Sequence, residues 1–182
     1  MKLLLDTTYL LPAIGISVKE MEIPKDLPLQ LIKQGDRLYI CDVTIFELAA
    51  KGAKHISEDK LPAERVVKGI RAIIYSEEIE AIPAYEDKTL HTAFKLRKPI
   101  NGFIDCPILS AAMNQCDIPL TEDEDIHKIE GNDIFNELRK TVNPSFKIKR
   151  AANIKPRTHQ TRKVTCQQRR GELSIGGALI DK

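Results

Sequence analysis

The chain has 182 residues, 42% hydrophobic and 30% charged, which is enough for one sizeable core and is the balance of a soluble globular protein. Aromatic residues make up 5% and Trp is absent, so the core must be aliphatic, and base stacking on aromatics is excluded as the main basis of function. The net charge of +2 hides an asymmetry: residues 145–182 hold ten Lys/Arg against two Asp/Glu, net +8, leaving 18 basic and 24 acidic residues upstream, net −6.

Lys2 to Leu5 predicts a short strand, and its apolar run ending at Asp6 suits a buried strand of a parallel sheet. The opening imitates a signal peptide, but Asp6 puts a charge inside the apolar region and no small-residue cleavage site follows, so a cytoplasmic protein is expected. No stretch approaches the ~20 apolar residues of a membrane span, and no membrane association is expected. A helix is predicted from about Tyr9, a second over about Lys25 to Lys33, and a strand over Arg37 to Cys41. Asp42 or Thr44 then caps a helix running to about His55. Pro62 opens an amphipathic helix through Val66, Ile70 and Ile74, and Ile79 to Ile82 is a third strand.

Glu86 to Leu96 and Phe103 to Gln115 have helical spacing, separated by the breaker Lys98-Pro99-Ile100-Asn101-Gly102. Ile118 to Thr121 is a fourth strand, and Lys140 to Val142 is assigned as a short fifth strand at the edge. Strands alternating with helices imply a parallel sheet covered on both faces. Periodicity fades beyond Pro144, so the expected organisation is a folded domain over 1–144 and a basic extension over 145–182. The four cysteines form no CxxC pair, which excludes zinc ribbons and thioredoxin-like motifs.

In open parallel sheets, ligands sit beyond the carboxyl ends of the strands near a topological switch point. Asp6 ends the first strand and Asp123 lies just past the fourth. Glu47 lies on a helical stripe with Val43 and Ala50. Asp105 opens a helix on which Leu109 and Ala112 follow at i+4 and i+7, a pattern that turns its carboxylate toward the protein. Each acid also has an ordinary reading: a turn or cap for Asp6, a helix-dipole partner for Asp105, and a surface ion pair with Lys51 for Glu47, worth ~0.3 kcal/mol. Four carboxylates gathered at one sheet edge would repel one another by about 4 kcal/mol per pair at ~4 Å and an effective dielectric near 20. Such a cluster needs a cation, and oxygen donors select Mg²⁺ or Mn²⁺. Those ions polarise phosphoryl oxygens and activate water, the chemistry of phosphodiester hydrolysis.

The segments Leu3-Leu4-Leu5-Asp6-Thr7-Thr8, Phe46-Glu47-Leu48, Phe103-Ile104-Asp105 with Ala111-Ala112, and Pro119-Leu120-Thr121-Glu122-Asp123-Glu124-Asp125 occur in an order and spacing that resemble the PIN domain nucleases. The resemblance covers about residues 1–142. It implies a three-layer α/β/α sandwich with a central, mostly parallel sheet, and a Mg²⁺- or Mn²⁺-dependent endoribonuclease leaving a 3′-hydroxyl and a 5′-phosphate. Asp6, Glu47, Asp105 and Asp123 would be catalytic acids and metal ligands, with Asp125 as an auxiliary ligand. Thr7 and Thr121 match supporting hydroxyl positions. Many members resemble the toxins of toxin–antitoxin pairs, which dimerise and are silenced by a small antitoxin; others process RNA. An RNA substrate, an antitoxin protein and a homodimer are therefore the partners implied.

Related chemistries fail on spacing. A haloacid-dehalogenase-like phosphatase needs Asp-x-Asp where Asp6-Thr7-Thr8 stands, a response-regulator receiver needs an acid where Ala81-Ile82-Pro83 stands, and a calcium loop needs Gly where Lys128 stands. Arg97, Lys98, Lys147, Lys149 and Arg150 are the candidate RNA-binding cations. A non-catalytic RNA-binding or assembly protein that uses the basic extension is the alternative function.

Overall fold

The computed structural model describes residues 1–18, 24 and 26–154. Four strands, β1 (Lys2–Leu5), β2 (Arg37–Cys41), β3 (Ile79–Ile82) and β4 (Ile118–Leu120), form one sheet in the order β3-β2-β1-β4 with every pairing parallel. Seven α-helices connect or follow them among the described residues: α1 (Leu27–Lys33), α2 (Asp42–Ser57), α3 (Ala63–Ile74), α4 (Asp87–Leu96), α5 (Asp105–Gln115), α6 (Glu124–Lys128) and α7 (Asp133–Val142). None of these helices is long and apolar enough to cross a membrane.

The alternation of side chains along a strand divides the core into two layers. Leu3 and Leu5 point to one face with Leu38, Ile40, Ile118 and Leu120, where they pack against Leu31 of α1, Leu48 of α2 and Val66 and Ile73 of α3. Leu4, Tyr39 and Cys41 point to the other, against Ala93 and Leu96 of α4, Leu109 and Met113 of α5 and Leu138 of α7. The molecule is therefore the expected three-layer α/β/α sandwich, with an aliphatic core in which, among the described residues, only Phe135 and Phe146 form a ring contact, at 6.4 Å. Close approach replaces bulk where α3 crosses the segment after β1: a Cβ on Gly69 would lie 2.3 Å from the Ala13 carbonyl oxygen.

Two elements differ from the sequence expectation. The segment after Asp6 is a 3-10 helix over Thr7–Ile14, because Pro12 has no amide to donate and Gly15, in the left-handed region at φ 94°, ends it. Lys140 to Val142 is not an edge strand. It is the last turn of α7, which Asn132 caps by accepting from the amides of Ile134 and Phe135 and which buries Phe135 and Leu138. The neighbour of β4 comes later: the Thr121 amide donates to the Lys149 carbonyl at 3.0 Å and the Lys149 amide to the Pro119 carbonyl at 3.1 Å. Phe146 and Ile148 are buried in the core layer of α4 and α5, so packed chain continues ten residues past Pro144. The remainder of the basic extension, from residue 155, lies outside the described residues, as does Lys25 at the start of the expected second helix.

Candidate functional site

β1 has β2 on one side and β4 on the other, so the connections diverge at the carboxyl end of β1, the position where parallel sheets open a crevice. Asp6 follows β1 directly. Its Oδ1 accepts from the Thr7 amide at 2.7 Å and its Oδ2 from the Thr121 hydroxyl at 2.9 Å. Thr121 in turn accepts from the Asp123 amide at 3.1 Å, and its carbonyl lies 3.1 Å from His127 Nε2. One buried hydroxyl thus links the acids that follow β1 and β4.

Asp123 N-caps α6, its Oδ1 accepting from the Asp125 amide at 2.7 Å and the Ile126 amide at 3.3 Å. Glu47, in the second turn of α2, accepts a short hydrogen bond from the Thr7 hydroxyl and pairs with Lys51 at 3.0 Å. The ordinary ion-pair reading of Glu47 is therefore realised, and the same carboxylate is also tied to the residue beside Asp6. Asp105 opens α5 beneath Gly102, where a Cβ would lie 2.1 Å from its Oδ2.

Asp6, Asp105, Asp123 and Thr121 line a small cavity of about 20 Å³, room for one water-sized species. Burial pushes the Asp105 carboxyl up to about 6, helped by the negative charges of Asp6, Asp123 and Glu47, with Lys51 opposing. Burial likewise raises Asp6; its hydrogen bonds from Thr121 and Thr7 oppose the rise, while Glu47 and Asp123 add to it. Four carboxylates from four separate elements thus act on one another electrostatically. Their donor set fits a hard divalent cation, which would relieve the repulsion. Among the described residues, no three His, Cys, Asp or Glu side chains are already closed up around one point as metal ligands.

Asp125 stands apart. Its carboxylate pairs with Lys128 at 2.8 Å and lines a neighbouring notch with Asn101 and Ile129. Among the candidate RNA-binding cations, Arg150 is committed to Glu122 at 3.2 Å and Glu124 at 2.7 Å, and Arg97 donates to the Ile100 carbonyl at 2.6 Å. Lys98 and Lys147 are exposed and Lys149 is half-buried. Sequence reasoning missed Tyr9, whose hydroxyl donates to Glu122 at 2.5 Å and accepts from the Ala151 amide at 3.0 Å. An apolar-looking run gives no sign of that bond, which joins partners 113 and 142 residues away.

No family model matches the chain, and no curated protein matches it. Among solved structures it is similar to a chain in the crystal structure of VapBC2 from Rickettsia felis bound to a DNA fragment from their promoter, with a TM-score of 0.53 and 20% sequence identity over 82% of this chain and 98% of that one. At that identity the likeness speaks to architecture, and it agrees with the parallel four-stranded sheet: the protein has an α/β, PIN-like fold.

Proposed function

We propose that the protein is a Mg²⁺- or Mn²⁺-dependent endoribonuclease whose site is formed by Asp6, Glu47, Asp105 and Asp123. The observation that carries the reading is the convergence of Asp6, Asp105 and Asp123 on one small cavity at the switch point of the sheet, with Glu47 tied to Thr7 beside it, surroundings that raise the Asp105 carboxyl. A fold built only for stability has no use for such an arrangement, which costs free energy until a cation enters.

In this reading Asp6, Asp105 and Asp123 hold the ion, and Glu47 completes the acidic wall. A divalent ion there supplies charge neutralisation at the phosphate and a more acidic water. The chain's own part is positioning. Thr121 and the Thr7 amide fix both oxygens of Asp6, the Thr7 hydroxyl fixes Glu47, and the α6 amides hold one oxygen of Asp123, leaving its other oxygen free of protein partners among the described residues. Holding these groups before substrate arrives reduces the reorganisation the reaction requires. The likeness to a VapBC2 chain supports a toxin role with an antitoxin partner; an RNA-processing role uses the same site.

The test is incubation with a panel of labelled RNAs and Mg²⁺ or Mn²⁺, with product ends mapped. Metal-dependent cleavage to 5′-phosphate ends, abolished in Asp105→Asn, is expected. RNA binding without cleavage, lost on deleting residues 155–182 and untouched by Asp6→Asn, would instead establish the non-catalytic alternative.

A further inference from the structure

An open groove of about 780 Å³ lies between α4 and α7. Ile134, Leu138 and Val142 of α7 give it an apolar side, and Lys88, Lys95 and Lys98 line it from α4 and the turn beyond. Lys88 and Lys95, seven residues apart, lie on one side of α4 over a rise of about 10 Å, and Lys98 follows in the turn beyond. None of the three has a carboxylate within ion-pair distance among the described residues, whereas Lys51, Lys60, Lys128 and Arg150 all do. Asp87 and Glu137 are the acids that also line the groove.

In chain order the groove is followed by a notch and then by the acidic site. Beyond Lys98 the chain enters a notch of about 230 Å³ formed by Pro99, Asn101, Asp125 and Lys128. Asn101 is four residues from Asp105 and Asp125 is two from Asp123, so the chain segments that line the notch lead from the lysine-lined groove toward the acids. A polyanion brought to the acids meets a domain of net negative charge, and unpaired cations beside the site offset that repulsion.

We propose that the groove holds the flank of a single-stranded RNA whose reacting phosphate lies at the acids, with Lys98, Lys95 and Lys88 binding phosphates in that order outward and the apolar side receiving base faces. This rests on the nuclease reading for the direction of the strand. Lysines are compact charges without the fork that reads base edges, so the grip is tolerant of sequence.

The experiment compares the full native chain with the triple variant Lys88→Ala/Lys95→Ala/Lys98→Ala and with Lys54→Ala/Lys68→Ala/Arg71→Ala, which removes the same charge from α2 and α3. Binding of a fluorescent 20-nucleotide single-stranded RNA is measured in EDTA between 50 and 200 mM salt. The groove variant should bind at least tenfold more weakly at 50 mM salt, and its slope of log K against log salt should be shallower by about 2, the loss of three phosphate contacts at ~0.7 each. The control variant should keep most of the native slope. With Mg²⁺ or Mn²⁺, the groove variant should show a KM on the 20-mer raised by a larger factor than on a trinucleotide, which is too short to reach Lys88. A native salt slope in the groove variant, or an equal loss in the control, overturns the proposal. Failure of the nuclease reading is seen separately, as absence of metal-dependent cleavage by the native chain, and the salt slope still decides whether the groove holds RNA.

Discussion

The Thr121 hydroxyl donates to Asp6 Oδ2 at 2.9 Å across 115 residues of sequence, and by accepting from the Asp123 amide it fixes the spacing of two acids that follow neighbouring strands. Thr121→Val keeps the shape and removes that donor. Asp6 then loses the strongest influence opposing its rise, so its carboxyl moves further up. Expected are a 10–100-fold loss of metal affinity or activity and an acidic limb of the pH–rate profile displaced upward. Thr121→Ser should restore both, and the thermal melt reports whether the fold is intact.

Asp105 gives a stability prediction with a definite sign. Its carboxyl is at about 6 in the fold and at ~3.9 in an unfolded chain. Between those values the native state binds more protons than the unfolded one, so the contribution of Asp105 to stability rises as pH falls through 6. At pH 7.5 without metal, Asp105→Asn should raise Tm by a few degrees, since ~1 kcal/mol moves a domain of this size by about 2–4 °C. The advantage should shrink toward pH 5. A lower Tm for the variant at pH 7.5 would mean that the carboxylate is stabilising where it stands.

Gly69 is a packing requirement on α3. A methyl there meets the Ala13 carbonyl oxygen at 2.3 Å and Ile14 Cα at 2.7 Å, both backbone atoms that cannot rotate away. Gly69→Ala should destabilise by about 1–3 kcal/mol, despite the ~1 kcal/mol by which Ala favours a helix interior. Gly131→Ala, with nothing within 4 Å of the added carbon, is the control. Urea midpoints of the two variants separate the cases.

Tyr9 anchors the last described residues. Tyr9→Phe removes its bonds to Glu122 and the Ala151 amide, at a cost of about 1–2 kcal/mol. Faster trypsin cleavage after Lys149 and Arg150 is expected, and an unchanged cleavage rate would show that the core contacts of Phe146 and Ile148 suffice to hold the segment.

The sequence's apolar strands, its acids at strand ends and its helix breakers made the sandwich and the nearness of two candidate acids legible, because a parallel sheet forces Asp6 and Asp123 to the same edge through pairings of β1 with β4. Lys140 to Val142 misled because β-branched Thr141 and Val142 favour strands locally, while the 3.6-residue spacing of Ile134, Leu138 and Val142 behind the Asn132 cap decides the outcome. Arg150 read as a free cation; its partners Glu122 and Glu124 lie 28 and 26 residues away and are brought to it only when Lys149 joins the edge of β4. Charge alone does not reveal such pairing.

If the four acids form one divalent-cation site, the melting temperature of the full chain with Mn²⁺ or Mg²⁺ against EDTA reports it. At ~100 times the dissociation constant, bound metal should add roughly 2.7 kcal/mol, a rise of several degrees that EDTA reverses and that is absent in both Asp6→Asn and Asp105→Asn. A melting temperature indifferent to millimolar metal, or an equal rise in both variants, would contradict the account.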